Sequence, residues 1–364
     1  MLAPMPSVRR ALIVAVTVAG CGAPASLPDH HSEELALLPF APSIRGRDGG
    51  YSAQLGGRSV WVFGDTPLEV EAVDGERWRT STFTTTVDDD ASDGLAPFVE
   101  PLDANGAPYQ LIPFTAEEAA YNASQSAPAC EHDCAPKWVL WPGGVAVAPS
   151  GDEALVFYWK IRDWEAQGTG LARWKSPDAP LERLTFKTDP DEPSALFGKG
   201  EHELGNAVLV DGDTLYVYGC EHEDFFDFDC VIGRVPFSSA IDRDAWEFWD
   251  GGDWTPTLAD ATSVLNGASI LTVHYNAHAG RYVAVYAKTD DEIVARTATR
   301  PHGPWSDEEL LHTGQGHEDG SSIYDAIVHP ELSQEDGRLL YVSYSRGVDF
   351  LKSEMHLVQI TFEP

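Results

Sequence analysis

A short run of β-branched and aromatic residues recurs five times along the chain, and each run directly follows a turn. The runs occupy residues 59–64, 154–159, 214–219, 281–286 and 339–344. Residues of these types favour strands, and the glycine-bearing or acidic segments before them are typical of hairpin turns. The pattern therefore predicts one antiparallel unit that is repeated five times.

The repeat has a nearly constant length. An apolar run before each turn opens near residues 48, 141, 203, 266 and 324, so successive units begin 93, 62, 63 and 58 residues apart. The longer first interval predicts an insertion of about thirty residues in the first unit. Further strand candidates follow in every unit, and the only segment with clear helical character is 115–124.

Four short strands per unit, repeated five times, predict an all-β fold: a five-bladed β-propeller with four-stranded antiparallel blades. Each sheet would bury its faces against its neighbours around a central axis. Two stacked β-sandwiches would have a similar strand composition, but the near-constant period of about sixty residues argues against them.

The N-terminus resembles a bacterial lipoprotein signal. Arg9 and Arg10 form a positive segment, and residues 11–19 form an apolar run that is too short to span a bilayer. The run ends at Val18-Ala19-Gly20-Cys21, which resembles a lipobox, the motif whose cysteine is lipidated. The alternative is an ordinary secretory signal followed by an unrelated cysteine.

This interpretation places the protein in the cell envelope, anchored by lipid and facing the periplasm or the outer-membrane surface. Cys21 would be its only membrane contact, because no other stretch is long and apolar enough to span a bilayer. The expected parts are a signal peptide at residues 1–20, a flexible tether at 21–37 and the propeller at 38–364.

The chain is strongly acidic. It has 58 acidic and 24 basic residues, which give a net charge of −34 at pH 7. Such a surface repels phosphate backbones, so nucleic acid is not an expected partner. Neutral or cationic ligands are compatible with this charge, and we expect a monomer.

Four cysteines remain after Cys21, and an even number in an exported protein predicts two disulfides. Three connectivities are possible, and proximity in the sequence favours Cys130–Cys134 and Cys220–Cys230. A metal site that combines these thiols with neighbouring histidines is the alternative, but the spacings match no common zinc pattern.

Several motifs resemble those of one bacterial family, domain-of-unknown-function family 4185. They occur in the expected order at residues 48–52, 61–66, 141–144, 302–306, 324–332 and 341–345. The likeness covers roughly residues 38–364. It implies a five-bladed propeller of the arabinanase, levansucrase and invertase type, and some members of the family are endo-D-arabinanases. These motifs specify the fold better than the activity, because related propellers host several functions.

In a propeller, the residues that open the first strand of each blade converge on a central funnel. The predicted positions here are Asp48, Trp141, Glu203, Asn266 and the pair Tyr324-Asp325. Glycoside hydrolysis requires two carboxyl groups that flank the scissile bond. The resemblance implies Asp48 as base or nucleophile and Glu203 as general acid; the alternatives are a turn cap and a solvated charge.

Two further carboxylates are candidates for catalysis. Asp65 ends the second strand of blade one, and its alternative role is structural, through bonds to the backbone of Thr66 and the following turn. Asp325 opens blade five. Blade two begins with Trp141-Pro142-Gly143, where many propeller glycosidases have an aspartate that tunes the pKa of the acid. This departure favours a different two-carboxylate scheme or a loss of catalysis.

Aromatic and basic side chains could bind a carbohydrate, although each could instead pack between blades or lie on the surface. The predicted sugar-binding residues are Tyr51, Trp141, Asn266, Tyr324 and Arg346, and Trp159 and Trp164 are further aromatic candidates. His317 precedes blade five, and some related propellers have a histidine near a central calcium. Calcium is therefore the only cofactor considered, with the acidic loops 88–90 and 221–229 as other candidates.

The sequence thus predicts a glycoside hydrolase, similar to endo-arabinanases, that acts on a furanose-containing or similar polysaccharide. Two alternatives remain: a non-catalytic propeller that binds glycan, and a lipid-anchored scaffold for protein interactions.

Overall fold

The strands form five antiparallel sheets that correspond to the five predicted units, and a separate two-stranded ribbon beside the first of them. The computed structural model describes residues 26–126, 129–130, 134–186, 192–224, 227–316 and 322–364. The predicted signal peptide and Cys21 lie outside the described residues. The first strand described, β1 (His30–Leu37), belongs to the last blade, and the blades are otherwise built in chain order.

Blade one contains three paired strands, with a fourth edge formed only by a bridge between Thr85 and Val99. A separate two-stranded ribbon of β4 and β5 lies beside it. The strands of this blade are β2 (Gly49–Leu55), β3 (Arg58–Phe63), β4 (Thr66–Pro67), β5 (Trp78–Arg79) and β6 (Thr82–Thr86).

The predicted insertion follows β6 and contains the only α-helix among the described residues, α1 (Ala116–Ser124). Thr115 caps the helix: its hydroxyl accepts from the Glu118 N–H, and the Glu118 carboxylate accepts from the Thr115 N–H. This reciprocal capping box confirms the helix predicted at 115–124.

Blades two, three and four each contain at least four strands. Blade two has β7 (Val139–Val147), β8 (Ala154–Arg162), β9 (Glu165–Trp174), β10 (Glu182–Arg183) and β11 (Phe197–Gly198). Blade three has β12 (Leu204–Asp211), β13 (Thr214–Asp224), β14 (Asp227–Pro236), β15 (Glu247–Trp249), β16 (Trp254–Thr255) and β17 (Leu265–Asn266). Blade four has β18 (Leu271–Asn276), β19 (Arg281–Ala287), β20 (Glu292–Ala298) and β21 (Glu309–Thr313).

Blade five joins the two ends of the chain. It contains β22 (Tyr324–Val328), β23 (Leu339–Asp349) and β24 (Lys352–Phe362), and β1 pairs along the outer edge of β24. This pairing covers an edge that would otherwise present unpaired backbone groups. The described residues also contain five short 3₁₀ turns, at Phe237–Ser239, Arg243–Ala245, Leu258–Asp260, Pro330–Leu332 and Glu335–Gly337.

The position of β1 corrects the predicted tether. Residues 30–37 are a paired strand rather than flexible chain, so the propeller begins before residue 38. The tether was predicted because residues 22–37 are rich in Ala, Pro, Asp and His. An edge strand needs little apolar surface, because its backbone hydrogen bonds to β24 hold it in place. The Ser32 hydroxyl contacts His312 Nδ1 at 2.9 Å and adds a link to blade four.

The five blades close into a ring. The inner strands β2, β7, β12, β18 and β22 contact one another in that order, and β22 contacts β2. Each pair of neighbouring blades shares one cluster of buried apolar residues, so the core is divided into five wedges around the axis. The predicted five-bladed propeller is confirmed.

Both predicted disulfides are present, joining Cys130 to Cys134 and Cys220 to Cys230. The first lies in the insertion after blade one. The second links β13 to β14 in blade three, where the two cysteines are direct cross-strand partners. Among the described residues, no helix is both long and apolar enough to cross a membrane.

Candidate active site

The inner strands all begin at one end of the central channel, which we call the upper mouth. A cavity of about 540 Å³ opens there. Its polar and aromatic lining comes from all five blades and comprises Asp48, Asp65, Trp141, Trp159, Trp164, Glu203, Asn206, Glu221, Ser269, Tyr324 and Asp325. The predicted residues Asp48, Asp65, Trp141, Glu203, Tyr324 and Asp325 are thus brought together from distant parts of the sequence.

Asp48 lies immediately before β2, held by hydrogen bonds from two sides. Its N–H donates to the Asp65 carbonyl at 3.1 Å, and its carbonyl accepts from the Gly64 N–H at 2.8 Å. Its carboxylate accepts from the hydroxyl of Tyr324 in blade five at 2.8 Å. Partial burial and the nearby charge of Asp65 raise the pKa of Asp48 above its usual range, while the Tyr324 bond opposes that rise.

Asp325 supports the same corner of the cavity. Its Oδ2 accepts from the Gly49 N–H at 2.7 Å, which ties blade five to the first residue of β2. Gly49 has a φ of +84°, a conformation that residues with a side chain rarely adopt. Burial and repulsion from Asp48 raise the pKa of Asp325. Two carboxyl groups therefore occupy one corner, and their mutual repulsion favours a proton on one of them near neutral pH.

Asp65 positions two tryptophans. Its Oδ1 accepts from the indole N–H groups of Trp78 and Trp141, each at 2.9 Å. Burial raises the pKa of Asp65, and the two indole bonds oppose this. The structural role considered for Asp65 involved the backbone of Thr66. The observed partners are instead side chains, one of which belongs to blade two.

Glu203 lines the cavity from blade three. Its N–H donates to the Glu221 carboxylate at 2.9 Å, and its carbonyl accepts from the Trp159 indole at 3.3 Å. His202 also contacts Glu221, at 3.2 Å, and this bond raises the pKa of His202. The backbone on both sides of Glu203 is therefore fixed, with its half-buried side chain at the cavity wall.

The motif Trp141-Pro142-Gly143 at the opening of blade two has a steric explanation. A Cβ atom at Gly143 would lie 2.4 Å from the carbonyl oxygen of Gly205, so only glycine allows the inner strands of blades two and three to approach this closely. Trp141 lines the cavity, and its ring centroid lies 6.5 Å from that of Trp164. An aromatic surface thus occupies the opening of blade two.

Three predicted sugar-binding residues do not line this cavity, although Asn266 lines a neighbouring cavity of about 310 Å³ that shares Ser269, Tyr324 and Asp325 with it. Tyr51 is only 4% exposed, and its hydroxyl donates to the Asn206 carbonyl at 2.5 Å, because strand alternation directs it into the core. Asn266 is in β17, which pairs with β14; the inner strand of blade four begins five residues later, at Leu271. Arg346 lies beyond Ser345, the partner of Tyr324, and does not line the cavity.

Sequence reasoning missed Asn206 and Ser269, and it considered Glu221 only as part of an acidic loop that could bind calcium. The Asn206 amide donates to the Ser269 carbonyl at 2.6 Å and accepts from the Cys220 N–H at 2.8 Å, which joins blades three and four at the mouth. The glycine before Asn206 could have signalled a bulge at this point, but nothing in the composition marks Ser269.

The calcium prediction receives no structural test at His317, which lies outside the described residues. Within the part of the chain that the structure covers, no group of three or more His, Cys, Asp or Glu side chains could hold a metal ion. In the acidic loop 88–90, Asp88 and Asp90 accept hydrogen bonds from nearby backbone N–H groups of that segment. Calcium binding stays a prediction.

Comparisons with known proteins agree on the fold. The chain is similar to a Bacteroides ovatus ATCC 8483 protein described as a "putative hydrolase", with 16% identity, a TM-score of 0.58, and 88% and 87% of the two chains covered. It is also similar to the GH43_1 enzyme from Xanthomonas citri complexed with xylose, with 14% identity, a TM-score of 0.50, and 90% and 89% covered. At these identities the likeness concerns the propeller fold.

Among curated sequences, the chain is 29% identical over 140 residues to Notoamide biosynthesis cluster protein J of Aspergillus sp. (strain MF297-2). That match covers 37% of this chain and 36% of the relative's length, so the chain spans little more than a third of that relative. The family model described as Domain of unknown function (DUF4185) matches residues 41–351. These residues are more than half of the chain and include blades one to four and strands β22 and β23 of blade five, and the chain therefore belongs to the DUF4185 family.

Proposed function

We propose that this protein is a glycoside hydrolase that cleaves a neutral, furanose-containing or similar polysaccharide at the upper mouth. The observation that carries the proposal is that Asp48 and Glu203 line one cavity from blades one and three, beside the aromatic rings of Trp141 and Trp159. Two carboxyl groups and flat apolar surfaces are what glycosidic cleavage requires.

Asp48 is assigned as nucleophile or general base. The hydroxyl of Tyr324 donates to it and orients the carboxylate. Its raised pKa makes the carboxylate a stronger base than an exposed aspartate. Glu203 is assigned as the general acid that protonates the leaving oxygen, and hydrogen bonds fix its backbone at the cavity wall.

A reducing-end assay on a panel of polysaccharides tests the hydrolase. The wild-type chain should release reducing ends from at least one neutral polysaccharide, and Asp48→Asn should lower the rate by about 10³-fold, as expected for loss of a catalytic group. Asp89→Asn is the matched control, because Asp89 is an exposed aspartate away from the cavity. Equal rates for wild type and Asp48→Asn would remove Asp48 from the mechanism.

A non-catalytic, glycan-binding propeller is the second candidate. The aromatic opening of blade two supports it, since Trp141 stands where many related enzymes have an acidic residue. In that case, affinity electrophoresis would show retardation by a neutral polysaccharide while the wild-type chain released no reducing ends.

We also propose that the protein is anchored to the cell envelope through a lipid on Cys21. The support is the sequence Val18-Ala19-Gly20-Cys21 after a short apolar run. Cys21→Ser should move the protein from the membrane fraction to the soluble envelope fraction. An unchanged membrane fraction would contradict the anchor.

A further inference from the structure

A second cleft of about 600 Å³ runs outward from the upper mouth, between the insertion after blade one and the opening of blade two. We call it the outer cleft. Four tryptophans line it: Trp78, Trp138, Trp141 and Trp164. Trp141 and Trp164 also line the cavity at the upper mouth, which we call the catalytic cavity from here on, so the two spaces are continuous.

We propose that the outer cleft binds additional sugar units of the same neutral polysaccharide whose cleavage is proposed at Asp48 and Glu203. This inference rests on the proposed function and specifies its substrate as a long chain rather than a short oligosaccharide. The continuity of the two spaces supports it, because a polymer held between the catalytic carboxylates can extend past Trp141 without leaving the groove.

Trp164 gives independent support. It occupies the two-residue turn between β8 and β9, and both turn residues have positive φ: +57° at Asp163 and +64° at Trp164. Such turns favour glycine, and a bulky residue in this conformation is strained. The Trp164 side chain is 88% exposed. The fold therefore gains neither backbone stability nor core packing from this tryptophan, which is consistent with selection for ligand contact.

Asp65 orders two of the other rings. The indole N–H groups of Trp78 and Trp141 both donate to its carboxylate, so these rings are oriented before a ligand binds. Preorganised aromatic faces lose little side-chain freedom on binding, which favours affinity for the apolar C–H faces of sugars.

The charges of the outer cleft favour a neutral glycan. Two basic side chains line it in the described part of the chain, and each contacts a carboxylate: Lys137 with Glu76 at 2.9 Å, and Arg79 with Asp74 at 2.8 Å. Asp65 and Asp163 add further negative charge to the lining. A polysaccharide with carboxylate or phosphate groups would be repelled.

The test uses Trp164→Gly in the Asp48→Asn background, so that binding is measured without cleavage. The φ of Trp164 suits glycine, so the free energy of unfolding should stay the same or rise. Affinity for linear arabinan and xylan, measured by affinity electrophoresis and calorimetry, should fall about tenfold for the polysaccharide that is bound, which corresponds to about 1.4 kcal/mol. Polygalacturonate should not bind.

Phe350→Ala is the matched control. Phe350 is 77% exposed and lies in the corresponding two-residue turn of blade five, but it lines neither the catalytic cavity nor the outer cleft. Its affinity for the polysaccharide should match that of the parent. Equal affinity of Trp164→Gly and the parent, or binding of polygalacturonate, would overturn the inference.

The two proposals fail in different ways. Loss of hydrolysis in Asp48→Asn with equal affinity in Trp164→Gly would refute the outer cleft and keep the hydrolase. Unchanged hydrolysis in Asp48→Asn, with weaker binding in Trp164→Gly, would refute the catalytic assignment and keep the outer cleft. Absence of binding to both neutral polysaccharides would overturn the inference.

Discussion

The two ends of the central channel have cavities of similar size but opposite character. The cavity at the upper mouth measures about 540 Å³ and is lined by aspartates, glutamates and tryptophans. The cavity at the other end, the lower mouth, measures about 480 Å³ and is lined mainly by aliphatic residues of the inner strands. Two buried histidines, His274 and His329, lie on or beside the inner strands there.

The difference follows from where the strands begin. Residues before each inner strand and at the ends of the second strands converge at the upper mouth, where they need not follow the apolar alternation of the strands. The lower mouth is formed by strand interiors, whose side chains mostly pack against neighbouring blades. We therefore expect substitutions at the upper mouth to change activity and substitutions near the lower mouth to change stability.

The largest effect should come from Glu203→Gln at the upper mouth. Loss of the general acid should lower kcat/KM on polysaccharide by about 10³-fold, or about 4 kcal/mol. On an aryl glycoside with a good leaving group the loss should be much smaller, because that group leaves without protonation. Steady-state kinetics on both substrates measure this, and equal losses would contradict the assignment of Glu203 as acid.

Near the lower mouth, His329→Ala should destabilise the protein without affecting the chemistry. The His329 ring stacks on Trp61 with centroids 3.9 Å apart, and its nitrogens contact the hydroxyls of Ser52 at 2.6 Å and Ser343 at 2.9 Å. Removal leaves a cavity and takes this partner from the buried hydroxyl of Ser343 and the partly buried hydroxyl of Ser52, at a cost of about 3 kcal/mol. Urea unfolding measures this loss of stability. A large drop in kcat per folded molecule would contradict the expectation that substitutions near the lower mouth change stability and leave activity unchanged.

His274 should make stability fall in acid. It is buried at the lower mouth, neither ring nitrogen makes a hydrogen bond within the described structure, and burial lowers its pKa to about 4. Because the unfolded chain takes up the proton near pH 6.5, stability is lost as the pH falls from there towards 4. At pH 5 the loss of unfolding free energy that is due to His274 is about 2 kcal/mol.

His274→Gln removes this group and should reduce the loss of unfolding free energy between pH 7 and 5 by about 2 kcal/mol. Part of the pH dependence should remain, because burial also lowers the pKa of His329, to about 3. The exposed His31→Gln is the control and should keep the wild-type slope. An unchanged slope in His274→Gln would show that the ring is not held neutral.

The smallest effect should be a shift in pH dependence on replacing Asp65 with Asn at the upper mouth. The charge of Asp65 helps to raise the pKa of Asp48. Since activity requires ionised Asp48, kcat/KM rises as the pH passes through this pKa. Removing the charge lowers the pKa and should move the acid limb of the profile down by about half a unit. An unchanged acid limb would show that the charge of Asp65 does not affect the pKa of Asp48.

The fold was predictable from the sequence because the repeat period and the hairpin turns are local signals. The strand β1 was not, since its polar composition at His30–Leu37 resembles a tether and its pairing with β24 depends on the far end of the chain. The helix α1 was predictable because its capping box is also local.

The residues Asp48, Glu203 and Tyr324 of the candidate site were predictable because each opens an inner strand, and Asp65 was predictable because it ends a second strand. In blade four the apolar run begins five residues before the inner strand. Asn266 was therefore predicted to open that strand, but the strand begins at Leu271. Tyr51 was predicted to face the funnel but lies in the core. The sequence pattern does not show which side chains of β2 point to the funnel and which point to the core. The link made by Asn206 between blades three and four depends on the closed ring.

A crystal structure of Asp48→Asn with an oligosaccharide of the preferred neutral polysaccharide tests the central claim most directly. The account predicts a sugar ring at the upper mouth, with its glycosidic oxygen within hydrogen-bonding distance of Glu203 and its anomeric carbon facing residue 48. An oligosaccharide bound at the lower mouth, or bound at the upper mouth with no glycosidic bond between these two residues, would contradict it.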